Sequence, residues 1–284
     1  MMRKFSTAFM LLLIAVAVNS VQVQAQTIVR YQEQIRGGAT LIGNSWMYTT
    51  SADCFPIAIL ADVDVDPTTD NSSSADLILP AGSTIEKAYL SIERGGYYSP
   101  QPLTSVKLKV PGASSYQTLT PGSPSFLINR SADGASGYYF EQSLFDITAL
   151  MPVNGYVSTA SGGVAGRYFL ADPVPFVNSD NWGPMGGWSI IIVYRNAASN
   201  RRSITVADNW QYFVSGSTVN TDVSGIRVPA SGTVKAVVGV TGTYGDRVDC
   251  SNSTYDYTDL IKFGQVTGTL TNLADPMTGF SIMH

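Results

Sequence analysis

From residue 26 onward, apolar and polar residues alternate with a period of two almost throughout, the repeat of strands with one face in a core and one in water. Val106-Lys107-Leu108-Lys109-Val110 alternates strictly, which predicts apolar residues inward and lysines outward. Over residues 85–92 (IEKAYLSI) the same spacing gathers Ala88, Leu90 and Ile92 on one face. Residues 188–194 (WSIIIVY) form an unbroken apolar run and predict a central strand covered on both sides. Ile204-Thr205-Val206 and residues 233–240 (TVKAVVGV) are β-branched runs that predict further strands. Turn signals separate these runs: Pro80-Ala81-Gly82, Pro111-Gly112, Pro121-Gly122, Asp133-Gly134, Asn154-Gly155 and Gly186-Gly187. One helical turn is expected over residues 144–151, stopped by Pro152. Many short strands joined by turns predict an all-β fold, an antiparallel β-sandwich of jelly-roll kind with minor helical content. No internal repeat is visible, so residues 26–284 read as a single domain. The Gly/Pro/Asn-rich stretch 161–187 reads as a long loop, and a sub-boundary would fall there.

The first 25 residues break the pattern. Met1-Met2-Arg3-Lys4 is basic, and residues 9–18 (FMLLLIAVAV) are an apolar run of ten, half of the about 20 residues a spanning helix needs. Val23-Gln24-Ala25 supplies small residues at −3 and −1, so residues 1–25 read as a secretory signal peptide cut before Gln26. The mature chain is therefore expected to be secreted, with no membrane span after cleavage, and no cysteine follows the apolar run to take a lipid anchor.

Composition agrees with an extracellular β-protein. Only 13% of the 284 residues are charged, against roughly 25% in an average protein. Net charge is −4; without the two leader cations, 15 basic face 21 acidic residues, about −6. With no Lys/Arg cluster to neutralise phosphates, nucleic acid is excluded as a partner. The single histidine is His284, which removes a Ser-His-Asp triad, a histidine zinc site and histidine acid/base chemistry. Cys54 and Cys250 are an even pair in an oxidising compartment, where a disulfide is the expected state and two buried thiols the alternative. The bridge would close a loop of about 196 residues, worth at most about 5 kcal/mol, and would tie the start of the mature chain to its end.

Five segments carry a resemblance: 71–90 (NSSSADLILPAGSTIEKAYL), 106–112 (VKLKVPG), 145–151 (FDITALM), 186–206 (GGWSIIIVYRNAASNRRSITV) and Gly245-Asp246-Arg247. In this order they resemble the N-terminal module of large secreted bacterial surface proteins, where it precedes tandem immunoglobulin-like repeats and a sorting segment. The most specific part is the Gly-Gly-Trp-Ser run into an apolar strand, followed by an Arg-bearing turn and a second strand. The resemblance implies a β-sandwich at the cell surface, adhesive or structural and without a catalytic site. This chain stops at His284 without repeats or a sorting segment, so a fragment or a free secreted domain is expected. The strong motif also makes sense as architecture. Gly186 and Gly187 allow close packing at the strand start, the Trp188 indole N–H needs one partner, and Arg195, Arg201 and Arg202 flank the turn where carboxylates could pair with them.

Two clusters could bind a ligand. Asp62, Asp64, Asp66 and Asp70 lie in one stretch, and Asp246, Asp249, Asp256 and Asp259 in another. On a strand, Asp62, Asp64 and Asp66 would share one face about 7 Å apart and repel, so they need water, arginine partners or a cation. Calcium is the cation such oxygens would take, with Asp62, Asp64, Asp66, Asp70, Asp246 and Asp249 as ligands. The alternative is a solvated acidic edge that discourages strand-to-strand aggregation. The stretch is no EF-hand, because Pro67 stands where the loop should turn and Ser73 occupies the twelfth position. The proposed disulfide would draw both acidic stretches together. Tyr97-Tyr98 and Tyr138-Tyr139 follow glycines beside turns; exposed, they could stack on sugar rings, and otherwise they pack at strand ends.

Catalysis finds little in the chain. Gly187-Trp188-Ser189-Ile190-Ile191 lacks the last glycine of a nucleophile elbow. The four glutamates, Glu33, Glu86, Glu93 and Glu141, show no spacing that argues for a facing pair. The expectation is a secreted surface or extracellular adhesive or structural module, not an enzyme, with an unidentified surface protein or glycan as partner. The alternative is a lectin-like carbohydrate-binding module that uses calcium; otherwise no cofactor is expected.

Overall fold

A computed structural model describes residues 27–49, 58–97, 103–120, 126–132, 138–152, 163–173, 185–209, 220–228, 230–231, 235–241, 262–263 and 271–272. The described strands are β1 (Ile28–Ser45), β2 (Met47–Thr49), β3 (Ala58–Leu60), β4 (Ser72–Pro80), β5 (Thr84–Tyr97), β6 (Val106–Lys109), β7 (Gln117–Leu119), β8 (Phe126–Ala132), β9 (Tyr138–Asp146), β10 (Gly163–Ala171), β11 (Met185–Arg195), β12 (Arg201–Asp208), β13 (Lys262–Phe263) and β14 (Thr271–Asn272). A single 3₁₀ turn, Thr148–Leu150, is the one helical element among them. No helix among the described residues is long and apolar enough to cross a membrane.

The strands form a six-stranded sheet, β12-β1-β11-β5-β9-β8, and a four-stranded sheet, β4-β10-β6-β7, with two small hairpins, β2-β3 and β13-β14. Every pairing is antiparallel. Alternation sets which side chains meet between the sheets. Ala88, Leu90 and Ile92 of β5, Phe145 of β9 and Trp188, Ile190 and Ile192 of β11 face Leu77 and Leu79 of β4, Val106 and Leu108 of β6 and Tyr168 and Leu170 of β10 in one buried cluster. Each fully buried Leu or Ile contributes about 1.5–3 kcal/mol relative to exposure, and this cluster holds the sandwich together. The chain passes between sheets at the β4–β5 turn, where the Ser83 N–H donates to the Pro80 carbonyl at 3.1 Å and Gly82 takes the left-handed φ of 75° that a type II turn requires at its third position.

The larger sheet is also apolar on its second face. Its first strand has two partners in succession, β11 along Gly37–Ser45 and β12 along the stretch from Ile28 to Arg36. The ribbon of β12 and the first half of β1 curls over β5, β9 and β11. Tyr31, Ile35, Ile204 and Val206 thereby pack on Tyr89, Leu144 and Val193, and the Tyr89 hydroxyl donates to the Arg30 carbonyl at 2.9 Å. Gly37 makes the corner: at its φ of 152° a side chain would overlap the Tyr194 carbonyl. This curl covers both faces of β11, the central placement expected of its apolar run.

Four expectations need correcting. Residues 163–171, inside the supposed long loop, form β10, which pairs with β4 over nine positions and lies in the core. Gly186-Gly187 is not a turn but the start of β11, opposite Arg94 and Glu93. The helical turn is shorter than expected, since Leu144, Phe145 and Asp146 belong to β9. The β-branched run 233–240 does not form a strand over its described residues. Residues 235–241 lie across the sheet face, Gly239 against Leu41, and a β-branched run becomes a strand only beside an edge with which it can exchange hydrogen bonds.

Candidate functional site

Residues 61–71 connect β3 to β4, and the four aspartates of this stretch stand in a loop rather than on a strand. Pro67 can donate no ladder hydrogen bond, and aspartate side chains compete for nearby amides. The Asp66 carboxylate accepts the Thr68 amide at 3.0 Å and the Thr68 hydroxyl at 2.7 Å, while its carbonyl accepts the Thr69 amide at 3.0 Å. Asp62 and Asp64 meet on one hydroxyl: Ser72 Oγ lies 3.0 Å and 2.7 Å from them and accepts the Val63 and Asp64 amides. The Asp70 amide donates to Asp172, at the end of β10, at 2.7 Å.

Cations reach this loop from β6. Its alternation sends Val106 and Leu108 into the core and turns both lysines towards the aspartates. Lys107 Nζ lies 2.7 Å from the Asp172 carboxylate and 2.6 Å from the Thr68 carbonyl. Lys109 lies 3.8 Å from Asp66 and 5.4 Å from the Tyr116 ring centre, and the Tyr116 hydroxyl donates to Asp64. Burial raises the Asp64 carboxyl, but the hydrogen bonds from Tyr116 and Ser72 outweigh it and hold it below the usual range. Asp172 behaves alike: burial raises it, while Lys107 and the amides of Asp70 and Asn71 win and lower it. Asp66 is lowered by the Thr68 amide and hydroxyl, with Lys109 adding to them. The phenol of Tyr116 moves up, through burial and its bond to Asp64. Sequence reading found these aspartates and the alternating lysines separately; it missed that they pair, and it missed Asp172 and Tyr116 altogether.

As metal ligands, Asp62 and Asp64 converge on Ser72, whereas Asp66 is held by Thr68 and Lys109 and the Asp70 side chain is exposed. Among the described residues no three acidic, histidine or cysteine side chains form a cage. Asp246 and Asp249, with Asp256 and Asp259, lie outside the described residues, as do Cys54, Cys250 and Tyr98. Of the remaining tyrosines the backbone alone is described: Tyr97 and Tyr138 are directly opposed at the ends of β5 and β9, with Tyr139 opposite Gly96.

Register puts the aspartate loop and the tyrosine pair at the same end of the sandwich. The loop runs into the start of β4, where Ser72 pairs with Ala171. Ser73 accepts the Trp188 indole N–H at 2.6 Å, near the start of β11. That start pairs with the end of β5, Met185 opposite Gly95, two positions from the Tyr97–Tyr138 pair. Trp188 thus finds the partner its indole requires, on β4. Gly186 makes room here, because a Cβ would overlap the Trp46 ring and the Glu93 carbonyl.

The glutamates are spent on the scaffold. Arg195 grips Glu86 through two bonds of 2.7 Å and reaches Glu33 at 3.0 Å, as expected for the Arg-bearing turn; Arg202 instead donates to the Gly37 carbonyl at 2.6 Å. Arg94 and Glu141 form a buried pair between the sheets. Glu93, on the opposite face of β5, is 2% exposed. Burial pushes its carboxyl up to about 7, against hydrogen bonds from Ser91, Gln142 and Thr241 that favour the charged form. Comparison of the chain with profiles of protein families, with curated proteins and with solved structures finds no match.

Proposed function

We propose that the mature chain is a secreted bacterial surface or extracellular module that adheres or builds structure without catalysing a reaction, and that it binds through the sandwich end bearing the aspartate loop and the Tyr97–Tyr138 pair. The observation that carries this reading is the convergence, through strand register, of the loop that holds Asp62–Asp70 and of the opposed tyrosines on one end of a sandwich with a continuous core. Loops held by a packed scaffold are where recognition residues commonly sit. The engagement of the glutamates supports a non-catalytic role: Glu33 and Glu86 hold Arg195, Glu141 holds Arg94, and Glu93 is sealed under the sheet face. Glycosidase chemistry would need two carboxyls facing each other across a substrate.

A calcium-dependent glycan-binding reading rests on the meeting of Asp62 and Asp64 at Ser72, at the same end of the sandwich as the opposed tyrosines. One experiment separates the two. The secreted chain, displayed on beads, is assayed for retention on bacterial cells and on a glycan array, with calcium and with chelator. Retention on cells that falls at least about tenfold in Tyr97→Ala and Tyr138→Ala, with the array blank, supports protein-directed adhesion. Array binding that needs calcium and is lost in Asp64→Asn supports the lectin reading. Retention unchanged in all three variants removes this end of the molecule as the binding site.

A further inference from the structure

Among the described residues, two other than glycine take a left-handed backbone: Val65 at a φ of 53° and Asp172 at 51°. Asp172 is of a type that tolerates it, and its carboxylate is used locally, accepting the Asp70 and Asn71 amides at 2.7 Å and 3.3 Å. Val65 is not of that type. A β-branched side chain in this conformation crowds the carbonyl that follows it. The side chain recovers nothing by packing, because it is 81% exposed. Both neighbours pin it in place. On one side the Asp64 amide donates to the Ser72 hydroxyl at 3.2 Å, and its carboxylate accepts the Ser72 and Tyr116 hydroxyls. On the other, the Asp66 amide donates back to Asp64 at 3.4 Å, and its carboxylate is held by Thr68, with Lys109 at 3.8 Å.

A valine that strains the backbone and packs on nothing in its own chain is placed for a contact outside it. Val63, 49% exposed, and the exposed Pro67 widen the apolar tip. Asp62 and Asp70 are exposed towards the two ends of the loop. We infer that Val65 is an apolar knob, presented by the β3–β4 loop to a protein partner whose apolar pocket is bordered by lysine or arginine side chains. This rests on the reading that this end of the sandwich binds, and it names the class of partner. Valine carries neither a flat ring nor a hydrogen-bonding group, so it offers nothing to a sugar. An anionic lipid surface would repel Asp62 and Asp70. The chain as a whole is acidic, with net charge −4, which argues against a second copy of itself. Because the loop is held by hydrogen bonds before any partner arrives, association is spared the cost of ordering it.

The test measures thermal unfolding and retention of the bead-displayed full chain on bacterial cells. Asparagine suits the left-handed backbone and removes the apolar group. In Val65→Asn the melting midpoint therefore rises by about 2–4 °C, while retention falls at least about tenfold. Retention of the wild type is lost on cells stripped with proteinase K and kept on cells oxidised with periodate. It also falls in Asp70→Lys, which leaves the Asp70 amide free to bond as before. A Val65→Asn chain retained as well as wild type overturns the knob; if Tyr97→Ala and Tyr138→Ala still lose retention, the end itself stands. Retention unchanged in all three variants removes the end and the knob together. A Val65→Asn midpoint at or below that of wild type also overturns the knob, because the valine is then no burden on the fold. Retention that survives proteinase K, disappears after periodate or is unaffected by Asp70→Lys overturns the class of partner.

Discussion

Trp188 joins local preference to tertiary structure. Its ring is completely buried between the sheets, and its N–H reaches Ser73 across 115 residues of chain. The apolar run identified the ring as core; only the packing of β4 against β11 supplied the acceptor. In Ser73→Ala the indole N–H remains buried without its acceptor, and the expected loss is about 1–3 kcal/mol. Trp188→Phe removes donor and ring area together, so Ser73→Ala in that background should cost distinctly less than in wild type. Denaturant unfolding of the four chains of this cycle measures the coupling.

The loop between β3 and β4 shows how an element can be misread while its residues are read correctly. Three aspartates at alternate positions do share a strand face in principle, but Pro67 and four local hydrogen bonds to Asp66 turn the chain before a ladder forms. Lys107, with its stem on β6 and its ammonium between Asp172 and the Thr68 carbonyl, ties the loop to the smaller sheet. Lys107→Met keeps the stem and removes the charge. Because the pair is partly exposed, the expected cost is about 0.5–1.5 kcal/mol of global stability, with faster backbone hydrogen exchange confined to residues 68–72. An exchange pattern unchanged in the loop would mean that the lysine is incidental.

For the molecule as a whole, two sets of carboxyls oppose each other as pH changes. Asp64, Asp66, Asp76, Glu86, Asp146 and Asp172 are held below their ordinary values. The native state therefore binds fewer protons than the unfolded chain in acid, and the stability these groups contribute is lost as pH falls below about 4. Glu93 has the reverse sign. Raised from 4.5 to about 7, it keeps its proton in the native state where the unfolded chain has lost it, so its contribution is full below 4.5 and declines as pH climbs to 7. Thermal melts should peak near pH 5 and fall on both sides. Glu93→Gln should flatten the neutral side, a change on the order of 1–3 kcal/mol, and leave the acid side as it was. A wild-type profile flat from pH 5 to 8 would contradict the burial of Glu93.

Much of this architecture is local in origin and could be read from the chain. Alternation assigned the inward faces of β5 and β6, β-branched composition marked β12 as a strand, and the glycine after Pro111 marked a turn that forms as expected, with the Ala113 amide on the Val110 carbonyl at 3.0 Å. The indole donor and the arginine at the β11 turn announced that partners were required. Which partners they found was not local. Ser73 for Trp188, Glu86 and Glu33 for Arg195, and the β6 lysines for the aspartate loop lie tens to more than a hundred residues away in sequence. Period-two alternation says which way a side chain points, not which strand lies beside it. Strand 10 was hidden in a stretch rich in glycine and proline, because its core residues, Tyr168 and Leu170, are few and its identity comes from the nine-residue register with β4. The run at 233–240 had the composition of a strand and is none over 235–241, because strand formation needs an edge as well as a propensity. Sequence alone thus determined the all-β class and the inward faces; the meeting of strands from distant parts of the chain decided the curl of β1, the burial of Glu93 and the end at which the aspartates and tyrosines gather.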